Sequence, residues 1–296
     1  MAKYDSEWFK ERAINCIKQI APNTWDYSDS LLLYVPSATE AYEEIQQEET
    51  PYHTLVTKPE TEFISKIAKE ISKELPSEFN FIDLGPGTEH KERFFFDLLK
   101  KQGKQFTYFP VDISERFLEV AEDFSQKLGI PCKPILAPFE EVGRILPSGY
   151  RFISLGLTFI NYRVEDILSL LKTMIGNDGC AFIDSHIRSR VDTEEIRSLY
   201  VDQVESMIIP KAELLELDWE NDLENIEVND KVEIWCTVKN PSSRMVEKGI
   251  KSGDRMIIFQ SLRHDLEFLK EEIQKVFPNY QMHDIGSPFV GFLLKS

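Results

Sequence analysis

The residues best suited to chemistry begin at Phe81, where the chain reads FIDLGPGTEHK. A short apolar strand runs into Gly85-Pro86-Gly87 and then into a helix. Glycines let a backbone approach a ligand closely, and a helix N-terminus favours negative charge. The third glycine of the dinucleotide fingerprint and the GK[ST] of a P-loop are both missing, so the turn alone reads equally as a plain strand-to-helix connection. Asp112 closes the next strand, in YFPVDIS. A carboxylate there offers two acceptor oxygens to the neighbouring hydroxyls of a ribose, or it caps the following helix. Taken together, the turn and the acid point to a nucleoside-bearing cofactor.

Other chemistries lack their residues. The cysteines, at 16, 132, 180 and 236, show no CxxC or CxxH spacing, which excludes a sequence-readable zinc site or redox dithiol and suits a reducing compartment. The histidines are at 53, 90, 186, 264 and 283; His53, beside Tyr52, and His186, at the end of a predicted strand, have no partner carboxylate at metal-ligand spacing, and no metal is expected. Lys and Arg number 34 against 51 Asp and Glu, a net charge of −17. A surface this acidic repels phosphate backbones and anionic lipid, so nucleic acid and membranes are poor partners and a small molecule is the better one. The opening MAKYDSEWFKERAINC has no signal-peptide core, and no apolar run reaches the roughly 18 residues of a membrane span. A soluble, cytoplasmic protein, monomeric or weakly self-associating, is expected.

These residues must be held by regular elements. Apolar spacing predicts helices over Trp8–Ile20, Ala41–Gln47 and Pro59–Leu75, the last with Phe63, Ile64, Ile67, Ala68 and Ile71 on one face. From Asn80 the pattern alternates. Strands are predicted at Asn80–Leu84, Thr107–Val111, Cys132–Leu136, Arg151–Leu155 and Gly179–His186, with helices at His90–Lys101, Glu115–Leu128 and Val164–Ile175. Such alternation implies a parallel sheet covered by helices on both faces. Asp192–Leu217 reads as helical, and Glu213–Glu233 carries nine acids against one lysine, expected on an outer, solvated face. Strands at Val232–Val238 and Arg255–Ser261 follow, then a helix at Asp265–Val276 and strands at Gln281–Ile285 and Phe289–Leu294 around the hairpin signal Gly286-Ser287-Pro288.

A doubly wound sheet closed by a hairpin, with an acid (Asp83) opening its glycine turn, is the layout of S-adenosylmethionine-dependent methyltransferases. The fold class expected is therefore α/β: a Rossmann-like class I methyltransferase sheet of seven strands, the last antiparallel, with a second α+β substrate-binding domain. The sheet domain is placed at 54–190 plus 262–296 and the cap at 1–53 plus 191–261, with the site in the cleft between them.

The resemblance is closer still. FIDLGPGTEHKERFFFDLL, YFPVDISERFLEVA, LGLTFINYRVED and LLLYVPSATEAYEEIQQEETPYHTLVTKPE resemble, in order, segments of the histidine Nα-methyltransferase family of ergothioneine biosynthesis. The resemblance implies that Gly85, Gly87 and Lys91 hold the methionine part of S-adenosylmethionine, that Asp112 takes the ribose, and that Phe139 lies beside the adenine. Pro138 stands where the family has an acid, and Glu140 is the nearest substitute. Gly156 and Asn161 match the glycine and asparagine of the family's G-S-T-I-G-N segment, which hold the amino-acid backbone groups. Tyr34 and Tyr52 match two N-terminal tyrosines, and Tyr200 a tyrosine that helps bind the substrate carboxylate. Tyr34 and Asn161 are the residues expected to orient the amine. Each also has a structural reading: Asn161 as a helix cap, the tyrosines as packing residues.

The side-chain pocket departs from the family. Where it has a glutamate and a serine, this chain has Phe259 and Ser261, and Ile234 replaces a methionine. Losing a buried partner for the imidazole N–H costs on the order of 1–3 kcal/mol. The expected function is methylation of the α-amine of an amino acid or related small amine other than histidine alone. A methyltransferase for another small or carrier-bound acceptor, or a non-catalytic S-adenosylmethionine-binding protein, is the alternative.

Overall fold

A computed structural model describes residues 4–48, 50–88, 91–202 and 205–296. His90, where the fourth predicted helix begins, lies outside them. In chain order the strands of the described residues are β1 (Lys18–Ala21), β2 (Thr24–Asp26), β3 (Glu78–Leu84), β4 (Gln105–Asp112), β5 (Ile135–Leu136), β6 (Arg151–Leu155), β7 (Gly179–His186), β8 (Leu223–Val228), β9 (Glu233–Val238), β10 (Arg255–Gln260), β11 (Tyr280–Asp284) and β12 (Phe289–Lys295). The chain divides into two compact units, one formed by Gln46–Val191 with Arg263–Ser296, the other by the residues up to Ile45 with Asp192–Leu262. In the larger unit, His53–Thr57 is a π-helical turn that continues into the helix Lys58–Glu74.

The larger unit is a seven-stranded sheet in the order β11-β12-β7-β6-β3-β4-β5. Strands β3 to β7 pair in parallel, and β12 runs antiparallel to both β7 and β11. Both faces are covered, so β7 (GCAFIDSH) is buried along its whole length and lacks the polar alternation of a half-exposed strand. Ile82, Val111, Ile153, Leu155, Ala181 and Ile183 pack with the helices Val164–Ile175 and Leu266–Val276. The opposite face is aromatic. Phe81 lies among Phe95, Phe96, Tyr108 and Phe152 at ring separations of 6.0, 5.2, 5.9 and 4.9 Å. Burying each such side chain contributes roughly 1.5–3 kcal/mol. The strand order reverses between β3 and β6, which opens a crevice at their carboxyl ends, where open α/β sheets bind ligands.

The smaller unit holds a five-stranded sheet, β1-β2-β10-β9-β8, in which only β2 and β10 are parallel. A bulge between Ile257 and Phe259 shifts the phase of β10: Met256 pairs with Cys236, yet Phe259 pairs with Ile234. Phe259 thereby joins the buried face of Ile234, Cys236 and Val238. The predicted helix Trp8–Ile20 stops at Cys16, and Lys18–Ala21 forms a hairpin with β2 about Asn23, whose φ is +54°. Asp192–Leu217 resolves into Thr193–Asp202 and Glu205–Glu213, the latter containing Pro210. Among the described residues no helix is long and apolar enough to cross a membrane.

Candidate active site

The glycine turn follows β3 with both glycines at positive φ, +71° at Gly85 and +58° at Gly87. A Cβ on Gly85 would lie 2.9 Å from Thr158 Oγ1 and 3.7 Å from Phe139 Cζ, so loops that follow β5 and β6 close on the turn. Asp83, at the end of β3, is buried and accepts a 2.7 Å hydrogen bond from the Tyr108 hydroxyl. Phe139 is buried at the start of the short helix Phe139–Val142 and stacks on Tyr162 at 6.0 Å. Pro138 is the residue ahead of that helix, and Glu140 is exposed to solvent.

Asp112, at the end of β4, is 6% exposed, and its Oδ1 accepts from the Ser114 N–H at 2.8 Å. The cap of the helix Glu115–Lys127 is Ser114, so capping is not what requires an acid at 112. Burial pushes the Asp112 carboxyl up to about 7; the backbone N–H groups of Ser114 and Ile113 oppose the shift, and the charge on Asp83 adds to it. A carboxylate held at this cost at the mouth of a sheet is the pattern of a ligand-binding acid.

Lys91, just past the turn, pairs with Glu60 from the first turn of the helix Lys58–Glu74. Lys91 is 7% exposed and Glu60 fully buried. The Glu60 Oε1 atom also accepts from the Leu157 N–H at 3.2 Å. A Cβ on Gly156 would strike the Lys91 ammonium and come within 2.8 Å of Glu60 Oε1, so a larger residue in the β6 loop would make this pair shift. Sequence reasoning missed Glu60. Its signal is a charged residue on the apolar stripe of its helix, three, four and seven positions ahead of Phe63, Ile64 and Ile67.

Asn161 ends the 3-10 turn Leu157–Asn161 and is half-buried; the helix beginning at Val164 is entered through Arg163, without a side-chain cap. Tyr52, also half-buried, precedes the π-helical turn. The remaining candidates belong to the smaller unit. Tyr34 ends the 3-10 turn Ser30–Tyr34 and meets Tyr42 edge-on at 5.7 Å. That turn is anchored by Asp29, which caps Leu31 N, pairs with Arg12 at 2.8 Å and accepts from buried Lys211 through its carbonyl at 2.9 Å. Burial lowers the Lys211 ammonium to about 8, and it lies 4.7 Å from the Tyr27 ring. Tyr200, Phe259, Ser261 and Ile234 are brought together. The Tyr200 and Ser261 hydroxyls are 2.9 Å apart, the Tyr200 and Phe259 rings 5.6 Å apart, and Ile234 is the ladder partner of Phe259.

Two of the histidines singled out by the sequence have structural surroundings. His186 is buried, stacks on Phe289 at 4.5 Å, and is pushed down to about 3 by burial and by Arg263, so its ring is neutral. His53 Nδ1 lies 3.2 Å from the Gln46 carbonyl. Among the described residues no cluster of three or more His, Cys, Asp or Glu is arranged to hold a metal, and all four cysteines are free thiols.

The seven-stranded sheet with its antiparallel β12, opening on a glycine turn and an acid at the end of the next strand, is that of a class I methyltransferase, an enzyme whose cofactor is S-adenosylmethionine. The residues present suit that group: two positive-φ glycines, a buried acid at the end of β4, and a buried cation and anion beside the turn. The chain belongs to the family described as histidine-specific, S-adenosylmethionine-dependent methyltransferases, whose model matches residues 20–183, more than half of the chain. No curated protein sequence matches significantly. Similar solved structures include an S-adenosylmethionine-dependent methyltransferase from Clostridium acetobutylicum, at 13% identity and TM-score 0.45, with 86% of this chain and 98% of that chain covered. A protein from Pyrococcus horikoshii is similar at 12% identity and TM-score 0.47, covering 85% and 93%. The methylating domain of a citrinin polyketide synthase shows 12% identity and TM-score 0.45, covering 78% of this chain and 50% of that chain.

Proposed function

We propose that this methyltransferase transfers its methyl group to the α-amine of an amino acid or related small amine and is not specific for histidine. The observation that carries this reading is Phe259, which stands where the resemblance expects a glutamate and packs against Tyr200 and Ile234. An apolar ring offers no acceptor to an imidazole N–H, whereas the Tyr200–Ser261 pair keeps two hydroxyls close together beside it.

The cofactor supplies an electrophilic sulfonium methyl. The protein's part is to present a neutral amine in line with it, and such positioning can supply several kcal/mol, up to roughly 7–11 in favourable cases. In this reading Asn161, Tyr52 and Tyr200 hold the carboxylate and amine of the acceptor, and Tyr34 orients the amine through a hydrogen bond or helps relay its proton. The anchoring of Tyr34 by Asp29, Arg12 and Lys211 supports that role, because it fixes the turn that bears the hydroxyl. The two units correspond in this reading to a cofactor domain and a substrate domain.

The test is a panel of amino acids and small amines incubated with S-adenosylmethionine and followed by mass spectrometry. Methylation of apolar or aromatic amino acids at the nitrogen is expected. Histidine as the sole acceptor refutes the specificity, and methylation only of carbon or oxygen acceptors refutes the amine.

A further inference from the structure

The methionyl end of S-adenosylmethionine is a zwitterion, an α-ammonium beside an α-carboxylate. Burying both charges is costly unless each meets an opposite one. Lys91 supplies the cation at the glycine turn. Besides Asp112, read as the ribose acid, three buried acids stand near the turn. Asp83 and Glu92 lie on the Tyr108 side, where Asp83 accepts from that hydroxyl and both charges raise its pKa. Glu60 lies on the other side, against Lys91 and the β6 loop, at the reversal point of the strand order. It sits in the first turn of the helix Lys58–Glu74, where the helix dipole stabilises an anion. It contacts a cation and a backbone N–H and lies against Gly156, whose missing side chain makes room for the pair.

We propose that Glu60 is the counter-ion of the cofactor's α-ammonium, with Lys91 taking the α-carboxylate, so that the protein's ion pair and the ligand's zwitterion form a four-charge ring. The inference rests on the reading that the glycine turn holds the methionyl end. In the ring each protein charge keeps its neighbour and gains a second partner, so no buried charge is left alone.

The test is a cycle of binding by calorimetry, crossing Glu60→Gln with removal of the ligand's amine. S-adenosylhomocysteine and its deamino analogue are titrated into the unaltered protein and the variant, with 5′-methylthioadenosine as a ligand lacking the whole amino-acid end. Expected are a loss of tenfold or more for S-adenosylhomocysteine in Glu60→Gln, little further loss for the deamino analogue, and methylthioadenosine binding within about twofold of the unaltered protein. Equal ligand preference for the amine in both proteins overturns the assignment, because Glu60 then acts only on Lys91. Should Glu60→Gln fail to fold, Glu60→Asp, which withdraws the carboxylate by one methylene, enters the same cycle with the same criterion. An unaltered protein that binds none of the three ligands contradicts the cofactor-site reading itself, an outcome separate from additivity in the cycle.

Discussion

Asp112 carries the sharpest pH dependence at the scale of single residues. Its carboxyl is held near 7 by burial, while an unfolded chain has it near 4. If the charged form binds a ribose diol, the affinity for S-adenosylhomocysteine is full above pH 7 and falls up to tenfold per unit below it; calorimetry between pH 5.5 and 8 measures this. The sign for stability is opposite. A raised carboxyl pKa means the folded state prefers the proton, so ionisation lowers stability as pH rises from about 4 to 7. Asp112→Asn is therefore expected to melt several degrees higher than the unaltered protein at pH 8 and nearly equal to it at pH 4, while binding S-adenosylhomocysteine more weakly at pH 8. Asp112 and the two glycines stand out as candidates in the sequence because each lies within a few residues of a strand end in a β-α-β pattern, and Lys91 is a candidate through the family resemblance. Glu60 could not be placed that way. Its partners Lys91 and Leu157 stand 31 and 97 positions away, and only the fold joins them.

Elements with a strong period were legible almost to the residue. Arg151–Leu155, Gly179–His186 and Val164–Ile175 occur as expected, since long apolar runs and helical stripes outweigh local ambiguity. The short strands of the smaller unit were not. Lys18–Ala21 has only four residues, all exposed, and Leu223–Val228 is hidden in an acidic stretch with only its two ends buried. Strands that short carry too few apolar residues to display a period of two. The bulge before Phe259 is likewise a property of the ladder, since the extra residue has no mark of its own in the sequence Ile257-Ile258-Phe259. At the start of the interior strand β7, Gly179 is required by its neighbours. A Cβ there would lie 2.6 Å from the Arg151 carbonyl oxygen and 3.1 Å from that of Ile175, and neither can swing away as a side chain would. Gly179→Ala is expected to cost about 1–3 kcal/mol in urea unfolding, in the range of an overpacked core.

Over the whole molecule the charge is uneven in meaning. The acids of Glu213–Glu233 fall on β8, an outer strand of the smaller sheet, and on the segments flanking it, whereas Asp83 and Asp112, at strand ends, and Glu60, on a helix, are buried in the larger unit. The net −17 thus describes solvated surface and a handful of bound acids together. Duplex DNA is expected to show no shift in a gel at about 50 mM salt, where even weak phosphate contacts are strong. Binding there would overturn the exclusion of nucleic acid drawn from charge.

The position of β12 has a consequence in time. It is the second strand to be laid against β7, yet Phe289, the partner of His186, follows it by 103 residues (289 − 186). At synthesis rates of roughly 5–20 residues per second, one edge of the fully buried β7 emerges from the ribosome some 5–20 s before its cover exists. During that interval an apolar strand offers a row of unpaired backbone groups to any passing chain, including another copy of itself. The protein's yield in a cell is therefore expected to depend on how fast the stretch between these two strands is translated, with slow codons between His186 and Phe289 raising the insoluble fraction in expression trials without altering a single residue.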